Sequence, residues 1–286
     1  VKLGISSYSL SRLVLEGKMT IFDVLDWVSA QGAQHVEIVA GGPLTIDAAM
    51  AEEIRKYAQD LGLSISNYLI GADFATDDED LFEAEVHRVI GEVDIANRLG
   101  ANQMRHDVAW RPAEEATVAA FDRDLPRLAD ACARIADYAA QHGMKTSVEN
   151  HGYHVQGSER VQRLIAAVNR SNFRTTLDIG NFMCADEDSV VGVKRNIGWA
   201  AMIHLKDFYL RPSYRNPGAG WFTTTSGNYL RGAIVGQGDI DMREVLRVIK
   251  TSGYEGPISI EFEGLEDCLS GTESAFRNAL SIWNEV

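Results

Sequence analysis

The sequence predicts an α/β chain folded as one (β/α)8 barrel. Three observations point there. Short β-branched or apolar runs alternate eight times with segments of helical period. A chain of 286 residues suits eight such units in a single domain, 1–286. Neither GxGxxG nor GxxxxGK[ST] occurs, so the Gly-rich first turn of a doubly wound sheet is missing.

The strand candidates are KLGISSYS (2–9), HVEIVA (35–40), SISNYLIG (64–71) and NQMRHDV (102–108), then TSVENH (146–151), RTTLDIG (174–180), MIHLKDF (202–208) and ISIEFEG (258–264). Each is bounded by polar residues or Gly, as expected of a strand covered on both faces. Between them, TIFDVLDWVSAQG opens on a Thr20 cap and ends at Gly32. The next three helical stretches end at Gly62, Gly100 and Gly143, where glycine accommodates the left-handed turn that leaves a helix. Pro126 is expected to kink the fourth stretch or split it into two helices. SERVQRLIAAVN, DSVVGVKRNIGWA, DMREVLRVIKTSG and TESAFRNALSIWN supply the remaining helices. One long connection, 209–238, follows strand seven, and its Trp221, Phe222, Tyr229 and Arg231 suggest a folded lid.

A net charge of −14 argues against nucleic acid, whose phosphates demand basic patches. Cys132, Cys184 and Cys268 form no CxxC pair and are odd in number, which argues against a disulfide framework. The opening VKLGISSYSL does not read as a signal peptide, and no run is apolar enough to span a bilayer. A cytoplasmic protein without membrane partners is the expectation.

Barrel active sites lie at the carboxyl ends of the strands, and there the chemistry concentrates. KTSVENHG delivers Glu149, RTTLDIGN Asp178, AMIHLKDF His204 and ISIEFEG Glu261, spaced by about one βα unit except for the longer last interval. Three hard oxygens and one imidazole converging at one rim suit a divalent cation. Such a cation, bound to a substrate carbonyl and a neighbouring hydroxyl, stabilises a developing enediolate. A carboxylate within reach of the adjacent carbon can then take its proton. Carboxylates on both faces would return it on the other side and invert the centre.

The segments SVENHG, TTLDIGN, MIHLKDF and GQGDIDMREVLRVIKTSGYEGPISIEFEG resemble the sugar phosphate isomerase/epimerase superfamily. This xylose isomerase-like barrel group includes D-tagatose 3-epimerase-type and inosose-processing enzymes. The resemblance covers essentially the whole chain and is strongest over 145–265. It implies one divalent ion, manganese first with Mg2+, Co2+ or Zn2+ as alternatives, held by Glu149, Asp178, His204 and Glu261. It also implies that Glu149 and Glu261 double as the acid/base pair. A small sugar is the implied substrate, and a homo-dimer or homo-tetramer the implied assembly. His151 is a candidate for substrate orientation or acid/base work, and Arg105, Lys206, Arg231, Trp110 and Glu37 are candidates for substrate binding. Of Arg105 and His106, only one can face the pocket. His154 is a weaker candidate, and Asp207 is expected to be structural. Asn181 stands where some ketose epimerases carry a His, and it cannot titrate near neutrality.

The expected activity is a metal-dependent isomerase or epimerase of a small ketose, keto-inositol or related sugar. A lyase or dehydratase acting on a keto-sugar or 3-keto-glycoside by the same proton abstraction is the first alternative. A non-catalytic sugar-binding barrel is the second.

Overall fold

The computed structural model describes residues 1–42 and 44–286. The strands are β1 (Leu3–Ser6), β2 (His35–Val39), β3 (Ser64–Ile70), β4 (Gln103–His106), β5 (Lys145–Glu149), β6 (Phe173–Asp178), β7 (Ala200–Leu205), β8 (Asp207–Arg211), β9 (Phe222–Thr223), β10 (Tyr229–Ala233) and β11 (Ile258–Ile260). Eight of them close a parallel barrel in the order β1-β11-β7-β6-β5-β4-β3-β2. Closure rests on β1, which pairs Leu3 with Ile258 on one side and Ile5 with Val36 on the other. Because every barrel strand is parallel to its neighbours, all eight carboxyl ends open at one rim.

The helices are α1 (Ser11–Leu15), α2 (Ile21–Ala30), α3 (Ala48–Asp60), α4 (Glu79–Leu99), α5 (Val118–Gln141), α6 (Ser158–Val168), α7 (Ser189–Asn196), α8 (Met242–Thr251) and α9 (Cys268–Glu285). The Thr20 hydroxyl accepts from the Asp23 amide, and Asp23 reaches back to the Thr20 amide, which completes a capping box on α2. Gly32, Gly62, Gly100 and Gly143 all take positive φ just past their helices. Pro126 does not divide its stretch. It lies inside α5, which is assigned as one helix from Val118 to Gln141. Proline removes one amide donor, and the long apolar face of α5, with Phe121, Leu128, Cys132 and Ile135 buried, retains the helix across that loss.

Alternation sorts the strand side chains. Ile5, Val36, Ile38, Val148, Leu177, Ile203 and Ile260 belong to the apolar core shared with the helices. The intervening Glu37, Asn67, Ser147, Thr176, His204 and Ser259 are buried polar residues. Ser147 and Thr176 share a hydroxyl–hydroxyl hydrogen bond of 2.8 Å. The stretch 209–238 is not a bare loop: β8, β10 and β9 form a three-stranded antiparallel sheet in that order. Asp207 anchors it by accepting from the amides of Phe208, Gly236 and Gly238 at 2.9–3.0 Å. The three cysteines are free and buried.

Candidate metal centre

One strand irregularity and one alternation build the site. A register shift between Thr175 and Thr176 sets Asp178 opposite His204. Ser259 also pairs with His204, which leaves Glu261 just past the end of β11 on the same face. Glu149 closes β5. One ligand atom from each of Glu149, Asp178, His204 and Glu261 falls within 4.8 Å of all the others, and all four residues are buried.

His204 Nδ1 lies 3.7 Å from Glu149 Oε2, 3.9 Å from Asp178 Oδ2 and 3.5 Å from Glu261 Oε2. These separations are too long for hydrogen bonds. His204 Nδ1 is buried without a hydrogen-bond partner, a costly arrangement for a polar atom, and Asp178 Oδ2 beside it is met only by the Lys206 ammonium at 3.2 Å. Three carboxylate oxygens and an imidazole nitrogen so placed fit a divalent cation in donor type and charge.

The partners of each group prepare it. Burial disfavours charge on His204, but Glu37, Glu261 and Glu149 outweigh it and raise its pKa well above the usual value. A cation binding at Nδ1 must therefore displace a proton. Burial, with Glu149 and Glu261 nearby, pushes Asp178 up to about 7 against the pull of Lys206. Glu149 and Glu261 go the other way. Burial opposes their ionisation, yet Arg105 and His204 hold Glu149 low, and Lys206 and His204 hold Glu261 well below the ordinary range.

The structure gathers part of the candidate set. Arg105, rather than His106, faces the centre, with Nε 2.8 Å from Glu149 Oε2 and a terminal nitrogen 2.9 Å from Asp107. His106 points into the layer of Phe74 and Phe173. Lys206 Nζ lies 2.8 Å from Glu261 Oε2, 3.2 Å from Asp178 Oδ2 and 3.1 Å from Glu263. Asn181 donates to Glu149 Oε1 at 3.0 Å. His151 sits half-exposed on Asp107 at 3.2 Å. Burial works against its charge, but Asp107 raises its pKa.

The remaining candidates stand farther out or deeper in. Trp110 is exposed at the rim and packs over Gly152, where a Cβ would meet the Ala109 carbonyl at 2.9 Å. Arg231 lies in β10 with its guanidinium over Tyr209 and Trp221. Glu37, expected to meet substrate, is fully buried behind His204, 3.0 Å from its Nε2. His154 is buried 3.0 Å from Asp124. Asn67, Asn150, Glu263 and Tyr8 were not among the expected residues. Asn67 donates to Glu37, and Asn150 exchanges two hydrogen bonds with the Asp178 backbone. Glu263 was accessible to the alternation rule, being two residues after Glu261. Tyr8, whose ring lies 6.0 Å from Lys206 Nζ, offered no such signal.

Comparison with known proteins agrees with this architecture. The chain is 27% identical over 157 residues to the inosose dehydratase of Bacillus licheniformis, a match covering 54% of this chain and 52% of that enzyme. It thus spans about half the length of the curated relatives it matches. Among solved structures, an L-ribulose 3-epimerase superposes with a TM-score of 0.73 at 16% identity, covering 99% of this chain and 94% of that one. An IOLI protein with a binding zinc atom gives 0.73 at 17% identity, covering 100% and 99%. At such identities these structures speak to the fold alone. The model of the xylose isomerase-like TIM barrel matches residues 25–285, and the chain belongs to that family.

Proposed function

We propose that this protein is a divalent-metal-dependent enzyme that moves a proton at the carbon beside a carbonyl, an isomerase or epimerase of a small ketose, keto-inositol or related sugar. One observation carries the reading. Glu149 and Glu261 flank the Asp178–His204 pair from β5 and the end of β11, and each is held ionised by its own cation, Arg105 or Lys206.

In this reading Glu149, Asp178, His204 and Glu261 would hold a divalent cation, manganese first, which would supply Lewis-acid stabilisation of the charge that develops on the substrate oxygens. Glu149 and Glu261 approach the reacting carbon from two sides, so one takes the proton and the other returns it. Lys206 and Arg105 hold the two carboxylates ionised while they wait for substrate, and Lys206 is placed to hydrogen-bond a substrate oxygen. His151 stands at the rim as a proton carrier. Trp110 offers an apolar face to a sugar ring, and Arg231 a cation on the sheet beside the rim. Glu37 acts through His204, as a positioning residue.

A second reading, dehydration of a keto-inositol or related keto-sugar, is favoured by the inosose dehydratase relatives. His151, with its raised pKa, would then protonate the departing hydroxyl. The partner in either case is a small sugar, and the strong negative charge of the chain argues against nucleic acid. Among the described residues no helix is long and apolar enough to cross a membrane.

Solvent-deuterium incorporation across ketoses, inososes and 3-keto-glycosides, with manganese added and product mass recorded, tests both. Exchange with conserved mass supports the isomerase or epimerase. Exchange with loss of water, or of an aglycone, supports the lyase. Saturable sugar binding without exchange would leave a non-catalytic sugar-binding barrel.

A further inference from the structure

A cavity of about 740 Å³ opens at the end of the barrel opposite the metal centre. Strand starts line it: Lys2 just before β1, His35 opening β2, Ser64 and Ser66 of β3, Gln103 opening β4 and Lys145 opening β5. Arg55 and Gln59 of α3 close one side. The lining carries three cations, Lys2, Arg55 and Lys145, and no Asp or Glu. Acidic residues outnumber basic ones in this chain by 41 to 27, so a purely basic cavity runs against its composition.

The local structure leaves those cations free. Among the described residues no carboxylate lies within ion-pairing distance of Lys2, Arg55 or Lys145, although thirty other such contacts tie up charges elsewhere. Arg55 Nε is buried and has no hydrogen-bond partner, which costs stability unless something in the cavity meets it. The C-termini of α3, α4 and α5 end at this side of the barrel, and their partial negative charge favours nearby cations. That field explains why basic residues are tolerated here; Lys2 and Lys145 are exposed to solvent, and Arg55 Nε alone of the three side chains has a buried donor without a partner. His35 is spoken for: Nε2 meets the Lys2 carbonyl at 3.2 Å, and Nδ1 meets the Ser66 hydroxyl at 2.8 Å. Its ring lies where only Gly4 can face it, since a Cβ there would stand 2.3 Å from Nδ1. Burial lowers its pKa, so it contributes a fixed neutral wall and not a fourth charge.

We propose that this cavity is a second binding site, for a small oxyanion. Arg55 and Lys145 supply the charge, Lys2 adds to the field, and the Gln103 amide offers a neutral hydrogen bond. A phosphate ester and a dicarboxylate present the same chemistry to such a set, as oxygens that accept from a planar guanidinium and an ammonium. The ligand would tie the starts of β1 to β5 together, so binding should stabilise the barrel by mass action.

The test is a titration of the full chain with inorganic phosphate and, separately, with succinate, at constant ionic strength. Calorimetry gives the affinity, and thermal unfolding gives the stabilisation. Binding is expected with a Kd on the order of 1 mM or tighter for at least one probe, weakening as salt is raised. The tighter probe identifies the source of the oxyanion. Arg55→Gln and Lys145→Gln should each weaken it by about tenfold, the loss of a charge-assisted hydrogen bond. Asp178→Asn, at the far rim, should leave it unchanged. That variant separates this site from the cations Arg105 and Lys206 and makes the result independent of the enzymatic reading. Should Arg55→Gln fold poorly, Lys145→Gln alone decides. No saturable binding of either probe by the unaltered chain, or full affinity in the Lys145→Gln variant, would overturn the proposal.

Discussion

Glu37 Oε2 lies 3.0 Å from His204 Nε2, and neither side chain is exposed to solvent. The contact fixes the imidazole with Nε2–H toward Glu37 and Nδ1 toward the three carboxylates, and Asn67 holds the same Oε2 at 3.0 Å. A carboxylate behind a ligating histidine sets its tautomer and raises its basicity. Replacing Glu37 by Gln should therefore weaken Mn2+ binding by about 10- to 100-fold. Isothermal titration of the metal-free protein would measure it, and an unchanged affinity would mean that the ring is oriented without Glu37.

Removal of a ligand should cost more than removal of its support. Glu149→Gln and Glu261→Gln are expected to abolish turnover and weaken the metal further than Glu37→Gln does. The fold should survive, because Arg105 keeps Asp107 at 2.9 Å and Lys206 keeps Asp178 and Glu263. Circular dichroism beside the exchange assay would check both halves, and normal activity in both variants would defeat the proposed acid/base pair.

Packing behind the site reaches it through Phe182. A Cβ at Gly192 of α7 would stand 2.5 Å from the Phe182 ring, which is fully buried next to Asn181, the donor to Glu149. Gly192→Ala should cost about 1–3 kcal/mol through overpacking, and the displaced Phe182 should also lower activity. A melting curve with a kinetic assay would read the two effects. A variant of unaltered stability would show that α7 shifts aside.

Acid stability should carry the signature of His106. Burial lowers its pKa from 6.5 to about 4, and its ring packs against Phe74 and Phe173. Its folded value is depressed, so the stability it contributes is complete above pH 6.5. That contribution is lost as pH falls toward 4, when the unfolded chain takes up the proton first. The loss is about 3 kcal/mol at most. In His106→Asn, whose amide can replace the Nδ1 donation to the Asp107 carbonyl, the drop in melting temperature between neutral pH and pH 4.5 should shrink. An identical drop would assign the acid sensitivity to other groups.

Much of the barrel was legible along the chain because its determinants are local. Period-two runs, helical stretches and the glycines that close them are set within a dozen residues, and strand-end positions follow from them. Glu149, Asp178, His204 and Glu261 could be picked out for that reason. Alternation also grouped Lys206 with His204. It could not say whether Arg105 or His106 looks inward, since period two defines two faces without naming the inner one.

What only the tertiary structure decided is depth, register and the company each charge keeps. A shift between Val36 and Glu37 pairs Glu37 with Asn67 instead of Ser66, and so sets it behind His204 and away from the mouth. Pro126 reads as a kink or a break, and the apolar face of α5 carries one helix through it. The basic cavity at the strand starts draws on residues from Lys2 to Lys145 that share no motif. Sequence by itself determined which residues could ligate a metal and the order in which the chain presents them. Closure of the barrel decided which of them meet, because a distance between strands depends on registers that no single strand encodes.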